Sequence, residues 1–202
     1  MNQILILFAH PKYEQSRANQ ALIEHIKKTE GVTIHDLYQQ YPDYNIDVYI
    51  EKDLLQDHDI IIWHHPFYWY SCPPLLKQWI DMVLEFGWAY GPGGNALSGK
   101  VAMNTITTGG TREVYCSEGY NHYTIGEFLR PFEQTAKLCK MDYLPPFSVM
   151  GTHRLTENDL GSYAQQYSLL LEWLKKGDLG TGERDNCQFI NDIPELQIIP
   201  ST

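Results

Sequence analysis

Apolar and polar positions divide this chain into blocks of two kinds. Gln3 to Ala9, Asp59 to His64 and Lys100 to Ile106 are short, nearly continuous apolar runs. Runs of this length without a polar face predict strands buried on both sides, as in a parallel sheet. Between them lie segments with apolar residues at helical spacing. Ser16 opens one that turns Ala18, Leu22, Ile23 and Ile26 inward and ends near Gly31, with a capping residue at its start and a glycine at its end. Val32 to Leu37 reads as a second, shorter strand, Tyr38 to Asp47 as a loop around Pro42, and Glu51 to Gln56 as a short helix. After the third strand, Leu75, Leu76, Trp79, Ile80, Val83 and Leu84 form an apolar stripe. Pro74 fits its first turn, where a missing amide costs nothing. Gly87 to Gly99, with Gly91-Pro92-Gly93-Gly94, is a loop. Thr124 caps a helix to about Lys140 that Pro131 kinks. Tyr143 to Met150 is a fifth strand, interrupted by Pro145-Pro146 and therefore either irregular or at an edge. Thr156-Glu157-Asn158-Asp159 resembles a capping box and opens a helix to about Lys176.

Five strand–helix alternations predict a doubly wound α/β fold: a five-stranded parallel sheet in the flavodoxin-like order 2-1-3-4-5. The expected domain spans residues 1–176. Residues 177–202, rich in glycine and then apolar from Ile193 to Pro200, form a tail that is either loose or docked across a dimer interface. In this strand order the loops after strands 1, 3 and 4 converge outside the carboxyl ends of the strands, where such sheets bind ligands. These loops are residues 10–19, 65–70 and 107–115.

Each of the three carries candidate chemistry. The third opens with His65-Pro66-Phe67-Tyr68-Trp69-Tyr70, and four aromatic residues there suggest a flat ligand. Ser16-Arg17-Ala18-Asn19 begins the first helix, where unpaired amides and the positive dipole end favour a phosphate. His10 arrives at the same place from strand 1. Thr107-Thr108-Gly109-Gly110 ends strand 4. Its glycines permit close backbone approach, and its amides can donate to the negative charge that a reduced flavin carries near N1 and O2. Neither a Gly-x-Gly-x-x-Gly after strand 1 nor a phosphate-binding P-loop occurs. His64 and His65 are adjacent and alternate faces, so they predict no shared metal site.

Composition changes this picture in three respects. The formal net charge is −10, which argues against a nucleic-acid-binding surface. The hydrophobic share of 43% argues against wholesale disorder. Cys72, Cys116, Cys139 and Cys187 have neither disulfide-framework nor zinc spacing, and no apolar run approaches the ~20 residues of a membrane-spanning helix. A cytoplasmic protein is the expectation, with peripheral attachment to a membrane partner left open.

Taken together, His10-Pro11, Ser16-x-x-Asn19, His65-Pro66-x-x-Trp69, Pro73-Pro74-Leu75-Leu76-Lys77-x-Trp79 and Thr107-Thr108-Gly109-Gly110 resemble the flavodoxin-like NAD(P)H:quinone oxidoreductases. Asp36-Leu37-Tyr38, Tyr41-Pro42-Asp43, Gly91-Pro92-Gly93-Gly94-Asn95 and Leu129-Arg130-Pro131-Phe132 resemble their short bacterial branch, which includes the ancillary oxidoreductases of glutathione-gated potassium efflux. The resemblance implies a homodimeric flavoprotein that takes hydride from NADH or NADPH and reduces a quinone-like acceptor by ping-pong transfer. It implies FMN, with FAD as the alternative, held by His10, Ser16, Arg17, Ala18, Asn19, Pro66, Phe67, Tyr68, Trp69, Thr107, Thr108, Gly109 and Gly110. Larger relatives place a Tyr and a His six residues apart beside the flavin. Here the Tyr matches Tyr115, whereas the His position holds Asn121 with His122 next to it. Tyr115 and His122 are therefore the candidate catalytic pair. Two other roles stay open: a regulatory subunit docked on a membrane potassium-efflux transporter, and a flavodoxin-like electron carrier.

Overall fold

The computed structural model describes residues 1–177 and 187–196. The parallel sheet runs β2-β1-β3-β4-β5, with β6 also paired to β4, so the expected order is observed. Its strands are β1 (Ile4–Phe8), β2 (Val32–Asp36), β3 (Ile60–Pro66), β4 (Val101–Thr108), β5 (Asp142–Tyr143) and β6 (Phe147–Met150). β1 and β3 are buried along their whole length because helices cover both faces. α1 (Arg17–Ile26) and α7 (Glu157–Lys176) lie on one face, over Ile4, Ile6, Phe8, Ile60 and Ile62. α3 (Val48–Asp57), α4 (Pro74–Val83) and α6 (Arg130–Leu138) lie on the other, over Leu5, Leu7, Ile61 and Trp63. The period-two alternation of strand side chains thus supplies two separate cores.

Boundaries differ from the sequence reading where local capping intervenes. The second strand stops at Asp36, because the Asp36 carboxylate accepts from the amides of Tyr38 and Gln39 and starts α2 (Leu37–Gln40). Asp47 does the same for Tyr49 and Ile50, so α3 begins three residues before Glu51. The segment 124–140 is two helices, α5 (Ile125–Phe128) and α6. Pro131 has no N–H for the preceding turn, and it sits instead in the first turn of α6. Pro145-Pro146 breaks the fifth strand into β5 and β6. The capping boxes at Thr124–Glu127 and Thr156–Asp159 are both formed.

Two features anchor the frame. Glu51 on α3 is fully buried. Its carboxylate accepts from Tyr41 Oη (2.5 Å), His35 Nε2 (2.7 Å) and Trp79 Nε1 (2.7 Å), which ties β2, the loop after α2 and α4 together. At the sheet edge, Asn191 imitates a strand. Its Oδ1 accepts from the Ser148 amide at 2.8 Å and its Nδ2 donates to the Ser148 carbonyl at 3.2 Å, while the Ile190 amide donates to Pro146 O. Residues 187–196 therefore pack on their own chain along β6. The remainder of the expected tail, 178–186 and 197–202, lies outside the described residues.

Candidate functional site

Strand register places the site. Phe8 faces His64 across β1 and β3, and Pro66 faces Thr107 across β3 and β4. The three strands therefore end side by side, and their loops enclose a cavity of about 380 Å³. The first loop contributes His10, Lys12, Ser16 and Arg17; the third-strand loop Pro66, Phe67 and Tyr68; the fourth Thr107 and Gly109. Thr152 and His153, from the loop between β6 and α7, close the far side. The sequence reading missed these two, since nothing in Gly151-Thr152-His153 signals a ligand contact. A backbone pair brings them in: the Gly151 and Thr152 amides donate to Gly110 O (2.8 Å) and Thr108 O (3.1 Å).

The cavity floor is a buried polar network. Asn19, at zero exposure, turns into the protein. Its Nδ2 donates to Ser16 Oγ at 2.8 Å and to Thr107 Oγ1 at 2.9 Å, and its Oδ1 accepts from His64 Nε2 at 3.0 Å. Ser16 Oγ also accepts from the Asn19 amide. Ser16 Oγ, accepting twice, has both lone pairs engaged and is left to donate, whereas Thr107 Oγ1 accepts once. His64 Nδ1 lies 3.5 Å from Tyr167 Oη. Burial, reinforced by neighbouring His65 and His10, pushes the His64 imidazole down to about 3, so it stays neutral, with one ring nitrogen donating and the other accepting.

A second network runs on the opposite face of the sheet. Tyr143 Oη donates to Asn104 Oδ1 (2.6 Å), Asn104 Nδ2 donates to His65 Nε2 (2.9 Å), and His65 Nδ1–H donates to Pro66 O (3.0 Å). The sequence named no partner for His65; the structure gives it two and stacks its ring on Phe132. Burial lowers His65 to about 4. Both histidines have folded-state values below the ~6.5 of an unfolded chain. Between pH 6.5 and 4 the unfolded state therefore binds up to two more protons, and stability falls as the pH drops through that window. The expected slope approaches ~3 kcal/mol per pH unit. Thermal unfolding from pH 7 to 4.5 checks this, and His64→Gln should remove about half the slope.

The other predicted residues are placed as follows. His10 is buried, which lowers its pKa, and its Nδ1 accepts from the Lys12 amide. Arg17 pairs with Glu157 at the start of α7 and also donates to Leu155 O. Its charge stands at the lip of the cavity. Ala18 is buried in the first turn of α1. The Phe67 amide donates to Thr107 O at 2.8 Å. Tyr68 to Ser71 is a tight turn whose central residues, Trp69 and Tyr70, have φ of +50° and +63°. Trp69 is 93% exposed, while Tyr70 stacks on Phe128 at 5.1 Å. Thr108 Oγ1 binds both Tyr115 Oη and the Gly110 amide at 3.0 Å. Tyr115 lines a side cavity of about 200 Å³ with Phe67, Trp69, Tyr70 and Asn121. His122 is exposed and lines neither cavity. The structure thus brings Tyr115 and Asn121 together beside the aromatic turn.

FMN fits this arrangement. In a chain of net charge −10, the described residues lining the main cavity include Lys12 and Arg17 and no carboxylate. The Ser16 hydroxyl at the start of α1 and Thr107 at the end of β4 line it, and a helix start of this kind suits a phosphate. Pro66, Phe67, Tyr68, Thr107 and Gly109 line the rest of the cavity, where a flat ring would lie.

Comparison with known proteins agrees with the fold. Residues 2–171 match a family described as having the flavodoxin-like fold. The glutathione-regulated potassium-efflux system ancillary protein KefG of Pectobacterium atrosepticum is 46% identical over 172 residues, covering 85% of this chain and 92% of that protein. The structure of general stress protein 14 of Treponema denticola, in complex with FMN, superposes with a TM-score of 0.82 at 39% identity, covering 85% of this chain and 99% of that one. An NADPH-quinone reductase from P. pentosaceus superposes with a TM-score of 0.75 at 32% identity, covering 86% and 97%. The chain belongs to the flavodoxin-like NAD(P)H:quinone oxidoreductase family, in the branch that includes the potassium-efflux ancillary proteins.

Proposed function

We propose that this protein is an FMN-dependent oxidoreductase that draws electrons from NADH or NADPH and reduces a quinone-like acceptor. The observation that carries the reading is the polarity of the main cavity: donors, Lys12 and an Arg17 paired with Glu157, with no carboxylate among the described lining residues of a strongly acidic chain. Ser16, Arg17, Ala18 and Asn19 would hold the phosphate. Pro66 to Trp69 and Thr107 to Gly110 would hold the flat ring, with His10 closing the first loop. When bound, FMN would supply two-electron transfer between the nicotinamide and the acceptor. The protein's own part is to bind, to orient and to handle protons. The backbone at the β4 end would face the negative charge at the ring edge, with the Gly110 amide itself held by Thr108 Oγ1. Thr108 Oγ1 donates to Gly110 O, so the Tyr115 hydroxyl gives its proton to Thr108; Tyr115 borders the side cavity and would orient an acceptor there. His122, outside that cavity, would act only from the solvent side. Purified protein should be yellow and release FMN on denaturation; FAD in its place would correct the cofactor. A colourless chain that takes up neither flavin would overturn the reading. Donor and acceptor sharing one site predicts ping-pong kinetics.

The strained turn belongs to the acceptor side. A side chain at positive φ costs ~1 kcal/mol or more, and Trp69 recovers little of this within one chain. Trp69→Asn should therefore raise stability by ~0.5–1 kcal/mol, because Asn tolerates that conformation. It should leave FMN content unchanged and raise KM for the acceptor. Unchanged acceptor kinetics would remove Trp69 from the site.

The 46% identity to a potassium-efflux ancillary protein favours a second role for the same chain, docking on the cytoplasmic side of a membrane transporter as a homodimer. No described helix is long and apolar enough to cross a membrane, so attachment would run through that partner. Co-purification with such a transporter, and an effect on potassium efflux that survives in a flavin-free variant, would establish it. Sedimentation would show whether the chain pairs.

A further inference from the structure

Arg112 lies in the loop that leaves β4, one turn ahead of Tyr115, and its guanidinium meets the far end of the chain. Nη1 and Nη2 donate to the two carboxylate oxygens of Asp192, each at 2.8 Å, and Nη2 donates to Gln188 Oε1 at 3.1 Å. The guanidinium also lies over the Phe189 ring, 4.9 Å from its centroid. The segment bearing these partners is firmly seated. Phe189 joins the core beneath α4 and α6. Ile190, Ile193 and Leu196 enter the core beneath α1 and α7, and Asn191 is paired to β6. One element therefore grips both cores and reaches back to a loop 80 residues earlier.

From Arg112 the path to the cavity is short. The Tyr115 amide donates to Arg112 O at 3.1 Å. The Tyr115 hydroxyl and the Gly110 amide share Thr108 Oγ1. The Tyr115 ring lies so near Gly110 that a Cβ there would stand 2.8 Å from Cε2. The Arg112 turn, Tyr115 and the Thr108–Gly110 backbone are thus mutually fixed.

We infer that residues 187–196 are a clamp that sets the Thr107–Tyr115 wall of the cavity through the Arg112–Asp192 pair. Asp192 and Phe189 are then positioning residues for the cavity's occupant. The family match ends at residue 171, so the clamp lies outside the portion of the chain that matches the family. The identity of the occupant rests on the FMN reading above; the stiffness of the wall does not.

Hydrogen exchange of residues 110–115 in the flavin-free full-length chain tests the clamp, alongside the rate of FMN release from the loaded protein. The pair is partly exposed, so Asp192→Ala should speed both by about fivefold. High salt should weaken the effect of the native pair, and Asp192→Glu should restore the parent rates. Leu55→Ala, a core truncation on α3 away from the clamp, should lower Tm and leave exchange at 110–115 unchanged. Unchanged exchange in Asp192→Ala would overturn the inference, as would an equal rise in Leu55→Ala, because the loosening would then be general. If the parent chain takes up no FMN, the functional reading fails and exchange alone decides the clamp.

Discussion

Replacing Glu51 with leucine is expected to lower folding stability by ~3–5 kcal/mol, because a buried acceptor shared by three donors is lost. The carboxylate has no solvent exposure, and three donors from three elements converge on it. Leucine would fill the volume and leave the Tyr41 hydroxyl, the Trp79 indole and the His35 imidazole unpaired, each a desolvated group with no partner. Burial and the neighbouring Glu51 hold the Tyr41 phenol above its ordinary range, in keeping with a carboxylate beside it. Glu51→Gln should cost less, because its amide oxygen still accepts and only one donor is left facing an amide hydrogen. Urea denaturation of the two variants measures the difference. A loss below about 1 kcal/mol for Glu51→Leu would show that the cluster is dispensable. Trp79 lies on α4, the helix that follows the aromatic turn, so the same variant should also weaken the acceptor side of the site.

Asn19→Asp is expected to weaken FMN binding by about a hundredfold, or ~2–3 kcal/mol. The change is isosteric and reverses the network. A carboxylate cannot donate to Ser16 Oγ and Thr107 Oγ1, so both hydroxyls would turn their protons inward and present lone pairs to the cavity. It would also place a negative charge beneath the phosphate. Riboflavin, which has no phosphate, separates the two parts of the cavity: its affinity should change little. Equal losses for FMN and riboflavin would mean that Asn19 supports the ring wall and not the phosphate end. Unchanged FMN binding would remove the phosphate from this helix start altogether.

Much of the architecture was legible because local rules and burial agree in this chain. The apolar runs at 3–9, 59–64 and 100–106 could only be interior strands, and Ser16, Thr124 and Thr156 announced three helix starts. The convergence of loops after β1, β3 and β4 followed from strand order. The sequence was less legible where a polar residue is buried. Glu51 on an amphipathic helix looks solvent-facing, and only the three partners brought by other elements reveal otherwise. Asn19 was expected to face the ligand, whereas it faces His64 and acts through Ser16 and Thr107. Thr152 and His153 reach the cavity only because β6 returns beside β4 after the Pro145-Pro146 break. Asp36 and Asp47 show the same point locally. Both are capping residues, but a cap is recognisable only when the helix it opens is long or periodic, and Leu37–Gln40 is neither.

The seal on β6 has a consequence for the order in which the molecule is completed. An uncovered strand edge is a template for pairing with another chain, and here the cover is supplied by Asn191, 43 residues after the strand it shields. During synthesis at roughly 5–20 residues per second, β6 emerges seconds before its cover does. Newly made chains therefore pass through an interval with a bare edge and an unclamped β4 loop. Nascent chains arrested before residue 187 should be captured by chaperones more readily than chains arrested beyond residue 196, even though the sheet itself is already present in both.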